Sequence, residues 1–227
     1  MISICIPTYE MNGKGVEYLN YSFNILYQQT YTDFEVIISD HSISNEIKDL
    51  CEQWNQILNI KYFKNNYKIG ISSANINNAI DKAKGEIIKI LFQDDFLYDE
   101  YSLETQLKYL KGNWLVTACC HYDGKTIHTP FYPEYHNDIQ YGRNTISSPS
   151  VLMFRNKNII HFDEELFWLM DVDYYKRMYM KYGKPDICDY ISVVNREHKN
   201  QVSNILVNEN IKQKELNYII KKYENIC

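Results

Sequence analysis

No stretch of the 227-residue chain stays apolar for the ~18 or more residues that a membrane-spanning helix requires. The opening residues, MISICIPTYE, have neither the basic start nor the apolar centre of a secretory leader, so the sequence predicts a cytoplasmic protein. No wide stripe of Lys and Arg is present, and the formal net charge of −5 argues against a protein built to coat nucleic acid. The 6 cysteines (Cys5, Cys51, Cys119, Cys120, Cys188, Cys227) never fall at CxxC spacing, which disfavours zinc or a disulfide framework and leaves reduced thiols as the default. Gly13 and Gly15 form a GxG, but position 18 is Tyr and no GxxxxGK[ST] run exists. Dinucleotide and P-loop chemistry are therefore disfavoured.

What is present suits a soluble globular chain, with 45% hydrophobic and 23% charged residues. A chain of this size buries roughly 70% of its unfolded surface, so a large core is available. Tyr is abundant, at 21 residues. The pattern predicts a strand over Ile2 to Ile6 stopped by Pro7, a helix over Val16 to Gln29 and a strand over Phe34 to Ser39 ending at Asp40. It continues with a helix over Ile47 to Leu58, a strand over Ile60 to Phe63, a helix over Ser72 to Lys84 and a strand over Glu86 to Phe92. Alternation of this kind implies right-handed crossovers and a mostly parallel sheet covered on both faces.

Beyond a helix over Ser102 to Leu110 the pattern becomes irregular. Trp114 to Cys120 and Ser150 to Phe154 read as strands, Tyr122 to Ile146 as a long excursion, and Leu169 to Tyr182 as a helix closed by Gly183 and Pro185. Ile191 to Asn195 reads as a last strand, and Val207 to Tyr223 as an amphipathic helix with Leu216, Ile219, Ile220 and Tyr223 on one face. No internal repeat and no dividing linker is evident.

The strand at Glu86 to Phe92 ends in Gln93 and two adjacent carboxylates, Asp94 and Asp95. Neighbouring like charges are best tolerated where a cation or strong donors compensate them. Ligands of open α/β sheets gather at the carboxyl ends of the strands. Thr8, Tyr9, Glu10, Asp40, Asp94 and Asp95 all follow predicted strands and so share one rim.

The segments ISICIPTYE, FEVIISDHS and GISSANINNAIDKAKGEIIKILFQDD, in that order, resemble the nucleotide-binding half of family 2 glycosyltransferases, which have the GT-A fold. FDEELFWLMDVDYYKRM resembles the family's stretch with the catalytic base, and VVNREHKNQVS its closing loop. The resemblance covers residues 1–205: a nucleotide-sugar-binding half (1–95) and an acceptor and catalytic half (96–205), followed by the amphipathic helix of 206–227. It implies an α/β GT-A architecture, with a Rossmann-like mostly parallel sheet and a smaller mixed acceptor-side region.

It also implies a metal-dependent enzyme that moves a sugar from a nucleoside-diphosphate sugar to an acceptor hydroxyl with inversion. Mn²⁺ or Mg²⁺ would be held by Asp94, Asp95 and His198, and a hard cation with one or two carboxylates suits a diphosphate. Which of the two carboxylates ligates and which touches ribose stays open. Pro7, Thr8, Tyr9 and Glu10 would wrap the base and ribose. Asp40 would accept from the base or ribose, or else cap the following helix. Gly70, Ser73 and Asn75 match the family's glycine and Ala-Arg-Asn region, with Ala74 at the usual Arg, and Lys68 is the candidate replacement cation.

Asp171 is the candidate general base, with Met170 where the family has Glu. Its competing reading is a carboxylate that merely favours a helix N-terminus. Arg196 and Lys199 are candidate phosphate contacts or plain surface charges. His128, His136, Arg143 and the Ser147 to Ser150 turn are candidates on the acceptor side. Two rivals follow from the altered positions Phe92, Ala74 and Met170 and from the fold: a non-catalytic sugar-nucleotide-binding module and a nucleotidyltransferase. The expected partners are a sugar-nucleotide donor and a glycan or other hydroxyl acceptor. The last helix, with Lys212, Lys214, Lys221 and Lys222, either packs on the domain or touches a membrane peripherally.

Overall fold

The structure, a computed structural model, describes residues 1–198, 201 and 207–224. Strand β1 (Ile2–Thr8) is buried at every position, as expected of a strand covered on both faces. Helix α1 (Gly15–Tyr27) turns Leu19, Phe23 and Leu26 into the core. The alternation continues through β2 (Phe34–Asp40), α2 (Glu46–Trp54), β3 (Ile60–Lys64), α3 (Ser72–Lys82) and β4 (Ile87–Ile90). These four strands lie in the order β3-β2-β1-β4, all parallel.

The second half adds β5 (Phe96–Leu97), α4 (Ser102–Tyr109), β6 (Trp114–Tyr122), β7 (Ile127–Phe131) and β8 (Leu152–Arg155). It closes with α5 (Met170–Tyr182), β9 (Asp186–Arg196) and α6 (Glu209–Glu224). The same sheet continues from β4 through β8, β6 and β9 to β5. Here the pairing is mixed: β6–β9 is parallel, while β4–β8, β6–β8, β5–β9 and β6–β7 are antiparallel. One sheet thus runs through residues of both halves.

Several boundaries differ from the sequence pattern. Pro7 does not stop β1, because the β4 neighbour ends at the Cys5↔Ile90 pair and no ladder donor is needed on that side. Strand β4 stops at Ile90, and Phe92 N–H turns to Ser150 Oγ at 2.9 Å. The expected excursion of 122–146 contains β7, an exposed strand with Pro130 that lies on β6 beyond the end of β8. Strand β9 begins at Asp186, well before Ile191, and follows β6 through two register shifts.

Candidate functional site

The carboxyl ends of β1, β2 and β4 open on a cleft with two contiguous lobes of about 380 and 500 Å³ that share Tyr9, Met11, Ser72, Phe92 and Asp94 as walls. Pro7, Glu10, His41 and Gly70 line the smaller lobe, on the β1–β2 side. The larger lobe is lined by Asp95, Asn144, Trp168 and Asp171 among others. Asp94 stands at the boundary and Asp171 in the far wall.

The β1 loop is held by Gln93. Its Oε1 accepts from Tyr9 N–H at 2.9 Å, and its Nε2 donates to the Gly15 carbonyl at 2.9 Å. Gly15 has no room for a side chain: a Cβ there would lie 2.4 Å from the Tyr9 carbonyl oxygen and 2.8 Å from Gln93 Nε2. Glu10 Oε1 accepts from the N–H groups of Ile43 and Ser44 and so ties this loop to the one after β2. His41 bridges onward, with Nε2 at 3.1 Å from the Tyr67 carbonyl and Nδ1 accepting from Gly70 N–H at 3.2 Å. Desolvation lowers the His41 pKa, in keeping with a neutral ring in those roles.

The two adjacent carboxylates have different surroundings. Asp95 is 5% exposed; its Oδ2 accepts from Ser150 Oγ at 2.5 Å and Ser148 Oγ at 3.1 Å, and its Oδ1 from Arg196 N–H at 3.1 Å. Burial, followed by repulsion from Asp94, pushes its pKa up to about 7. Lys89, fully buried in β4, donates to the Ser150 carbonyl behind this group. Asp95 therefore ties the β4 loop, β9 and the Ser148 to Ser150 turn together at the wall of the larger lobe. Asp94 faces the cleft, and its Oδ2 lies 3.0 Å from His198 Nε2. Asp94 and His198 form a carboxylate and imidazole pair at the lobe boundary. Among the described residues no group of three or more His, Cys, Asp or Glu is arranged to hold a metal. The pair fits a hard cation whose remaining ligands come from a diphosphate, not from a protein-built cage.

Arg196 is not a surface charge. Its guanidinium lies 4.5 Å from the Tyr18 ring centroid, 5.1 Å from Phe96 and 5.3 Å from Tyr21 and Tyr122, and Nε donates to the Asp94 carbonyl at 3.0 Å. An aromatic box of this kind holds a cation through the rings' quadrupoles. It fixes the end of β9 beside Asp94.

Asp171 lies in the first turn of α5. Its Oδ2 accepts from Asn144 Nδ2 at 2.7 Å and its Oδ1 from Val172 N–H at 2.7 Å. Desolvation in the cleft wall is the main cause that pushes its pKa up to about 7, and Glu215 adds to it. Asn144 Oδ1 also accepts from the N–H groups of Ile146 and Ser147, so one amide organises both the turn and the carboxylate. Asp173 is fully buried, with Arg177 Nε at 2.7 Å, Lys222 Nζ at 2.8 Å and Tyr223 Oη at 2.8 Å. It is structural, and the cleft is left to Asp171.

Other expected site residues sit behind or beside the cleft. Asp40 is fully buried and accepts from Thr8 Oγ1 at 3.0 Å, Ser42 Oγ at 2.6 Å and Tyr62 Oη at 2.7 Å, so its carboxylate braces β1 against β2 and β3. It does not cap α2, whose N-cap is Asn45. Thr8 is buried with it, and Ser73 is buried with Oγ towards the Leu166 carbonyl at 3.4 Å. Lys68 pairs with Glu164 at 3.2 Å and Glu165 at 3.5 Å. His128, His136 and Arg143 pair with Glu197, Glu134 and Asp138. Lys199 and Ser203 lie outside the described residues. Sequence reasoning missed His41, Gln93, Asn144 and Trp168; Gln93, adjoining the acidic couplet, was the one with a signal.

A parallel β/α half joined to a mixed half, with a carboxylate-walled cleft at the strand ends, defines an α/β domain of the GT-A type. The chain belongs to glycosyl transferase family 2, whose family model matches residues 3–198. It is 33% identical over 98 residues to the GalNAc(5)-diNAcBac-PP-undecaprenol β-1,3-glucosyltransferase of Campylobacter jejuni, covering 42% of this chain and 30% of that one. An uncharacterised glycosyltransferase of Methanocaldococcus jannaschii is 30% identical over 115 residues, covering 50% of this chain and 38% of that one. The chain thus spans less than half the length of these curated relatives. Among solved structures, S. aureus TarS 1–349 in complex with UDP-GlcNAc superposes with a TM-score of 0.69 at 19% identity, covering 98% of this chain and 72% of that one. The mannosyltransferase PcManGT from Pyrobaculum calidifontis, in complex with GDP-Man and Mn²⁺, gives a TM-score of 0.61 at 16% identity, covering 86% and 56%.

Proposed function

We propose that this chain is an inverting, metal-dependent glycosyltransferase that uses a nucleoside-diphosphate sugar. The carrying observation is that Asp94 and Asp171 wall one continuous cleft, a position for donor phosphate and a candidate base facing the same space. The smaller lobe, between Pro7, Glu10, His41 and Gly70, takes the nucleoside, with the Tyr9 ring as a stacking surface. Asp94 and His198 would hold Mn²⁺ or Mg²⁺, which offsets charge developing on the departing diphosphate. The TarS complexes with UDP and UDP-GlcNAc and the PcManGT complex with GDP-Man and Mn²⁺ support a sugar nucleotide and a divalent cation.

The larger lobe takes the acceptor. Trp168, Phe131 and Phe167 give it apolar walls of the kind on which the faces of sugar rings pack. Asp171 removes the acceptor hydroxyl proton as its oxygen bonds to the anomeric carbon. The bond from that carbon to the phosphate oxygen breaks on the opposite side, so the nucleoside diphosphate leaves and the configuration inverts. A base with a pKa near 7 is well matched to work at neutral pH. Asn144 keeps one lobe of its carboxylate directed.

A coupled assay for nucleoside diphosphate release, run over UDP- and GDP-sugars with Mn²⁺ or Mg²⁺ and sugar acceptors, tests this reading. Release that needs both acceptor and metal is expected. Pyrophosphate release would show a nucleotidyltransferase. Donor binding with no turnover would show the non-catalytic module that Ala74 and Met170 bring to mind.

A further inference from the structure

Helix α6 lies beyond the 3–198 match, yet it carries a buried carboxylate aimed at the segment that builds the acceptor lobe. Glu215 is 5% exposed. Its Oε1 accepts from Phe167 N–H at 2.9 Å and Trp168 N–H at 3.2 Å, and its Oε2 from Trp168 N–H at 3.0 Å and Leu169 N–H at 2.8 Å. Consecutive backbone N–H groups converging in this way form an anion-binding nest, and the bonds are strengthened by the charge on the acceptor. The chain itself supplies the anion, from a residue 46 to 48 positions away.

The nest adjoins the reacting parts of the cleft. Phe167, Trp168, Met170 and Asp171 all line it, and Leu169, the last nest donor, is the N-cap of α5. Only Met170 separates the last nest donor, Leu169, from Asp171. The rest of α6 grips the same stretch from outside: Lys212 Nζ lies 5.8 Å from the Trp168 ring centroid, and Lys222 pairs with Asp163 at 2.5 Å and Asp173 at 2.8 Å.

We propose that Glu215 is a positioning residue for glycosyl transfer: by gathering the 167–169 N–H groups it fixes the turn that presents Trp168 to the acceptor and Asp171 to its hydroxyl. The inference rests on the glycosyl-transfer reading given above. Glutamine cannot replace the carboxylate, because its amide nitrogen would point at one of the backbone donors and leave it unpaired. Displacement of a catalytic group by about 1 Å can cost on the order of 10²-fold in rate.

The test compares wild type, Glu215→Gln and Ile219→Ala in the full chain. Ile219 is a fully buried α6 residue whose side chain has no polar atom to offer the nest N–H groups, so its truncation disturbs packing without removing a nest hydrogen bond. For Glu215→Gln, kcat falls tenfold or more and acceptor KM rises, while the Kd for the nucleoside diphosphate with Mn²⁺ stays within twofold of wild type. For Ile219→Ala, the melting temperature falls at least as far as it does for Glu215→Gln, while kcat, read where the protein is fully folded, stays within twofold. If Glu215→Gln does not fold, Glu215→Asp, which keeps the charge but withdraws it by one methylene, is read in the same way. Wild-type kcat in a folded Glu215 variant, or rate losses that track melting temperature in both variants, overturns the inference alone. A wild type that transfers no sugar from any donor overturns the functional reading and this inference with it.

Discussion

At the scale of single residues, three carboxylates that look alike in sequence are separated by their surroundings. Asp171 sits in the cleft wall with a pKa raised to about 7, Asp173 is locked by Arg177, Lys222 and Tyr223, and Asp95 is spent on two serines and a backbone N–H. The base must be ionised to act, so activity rises with pH through about 7, well above the ordinary carboxylate range. The wild-type kcat/KM profile should therefore show its acid limb near neutrality. Asp171→Asn should lose about 10²- to 10⁴-fold in kcat. Stability runs the opposite way. The raised pKa means the folded protein holds a proton that the unfolded chain releases, so this group's contribution is full at low pH and is lost as pH rises through about 7. Asp171→Asn should thus gain melting temperature relative to wild type as pH rises from the ordinary value of 3.8 to about 7, with the difference constant above it. A difference that does not vary with pH would contradict the assigned environment.

At the scale of elements, periodicity and strand-end position were enough to read the parallel half and the rim that carries Tyr9, Glu10 and Asp94. They did not reveal β5, whose two residues are too short for any pattern, or β7, which is exposed and contains Pro130. Asp40 shows the limit of the rim rule. It does follow β2, but Thr8, Ser42 and Tyr62 consume its carboxylate and leave neighbouring His41 to face the cleft. Arg196 was legible as a cation and not as a boxed one, because Tyr18, Tyr21, Phe96 and Tyr122 come from α1, β5 and β6. Arg196→Lys keeps the charge but loses the planar contacts, and should cost about 1–2 kcal/mol in chemical denaturation and weaken metal-dependent nucleotide binding several-fold. Gly15→Ala should push α1 away from the Tyr9 carbonyl, lowering both the melting temperature and nucleotide affinity; retention of both would show that the close approach is dispensable.

At the scale of the whole molecule, α6 was legible as amphipathic, but its buried side is not the apolar stripe alone. Ile219 and Tyr223 are buried together with Glu215, while Ile220 remains 40% exposed. A buried Glu that serves a turn 46 to 48 residues earlier leaves no trace in periodicity. The same packing bears on the membrane: Lys222 is committed to Asp163 and Asp173, and Lys212 to Glu209, which leaves Lys214 and Lys221 as exposed charges. Each basic residue near an anionic surface contributes about 1 kcal/mol, so sedimentation with anionic vesicles should be slight and vanish near 0.15 M salt, where the Debye length is ~8 Å. Strong, salt-resistant sedimentation would show a membrane surface elsewhere on the molecule.

The division of labour across the cleft is tested most directly by titrating nucleoside diphosphate into Asp94→Asn and Asp171→Asn by calorimetry with Mn²⁺, beside wild type. Asp94→Asn should lose metal-dependent affinity tenfold or more, and Asp171→Asn should bind as wild type does while failing to turn over. Equal affinity in all three proteins, or loss of binding in Asp171→Asn, would contradict it.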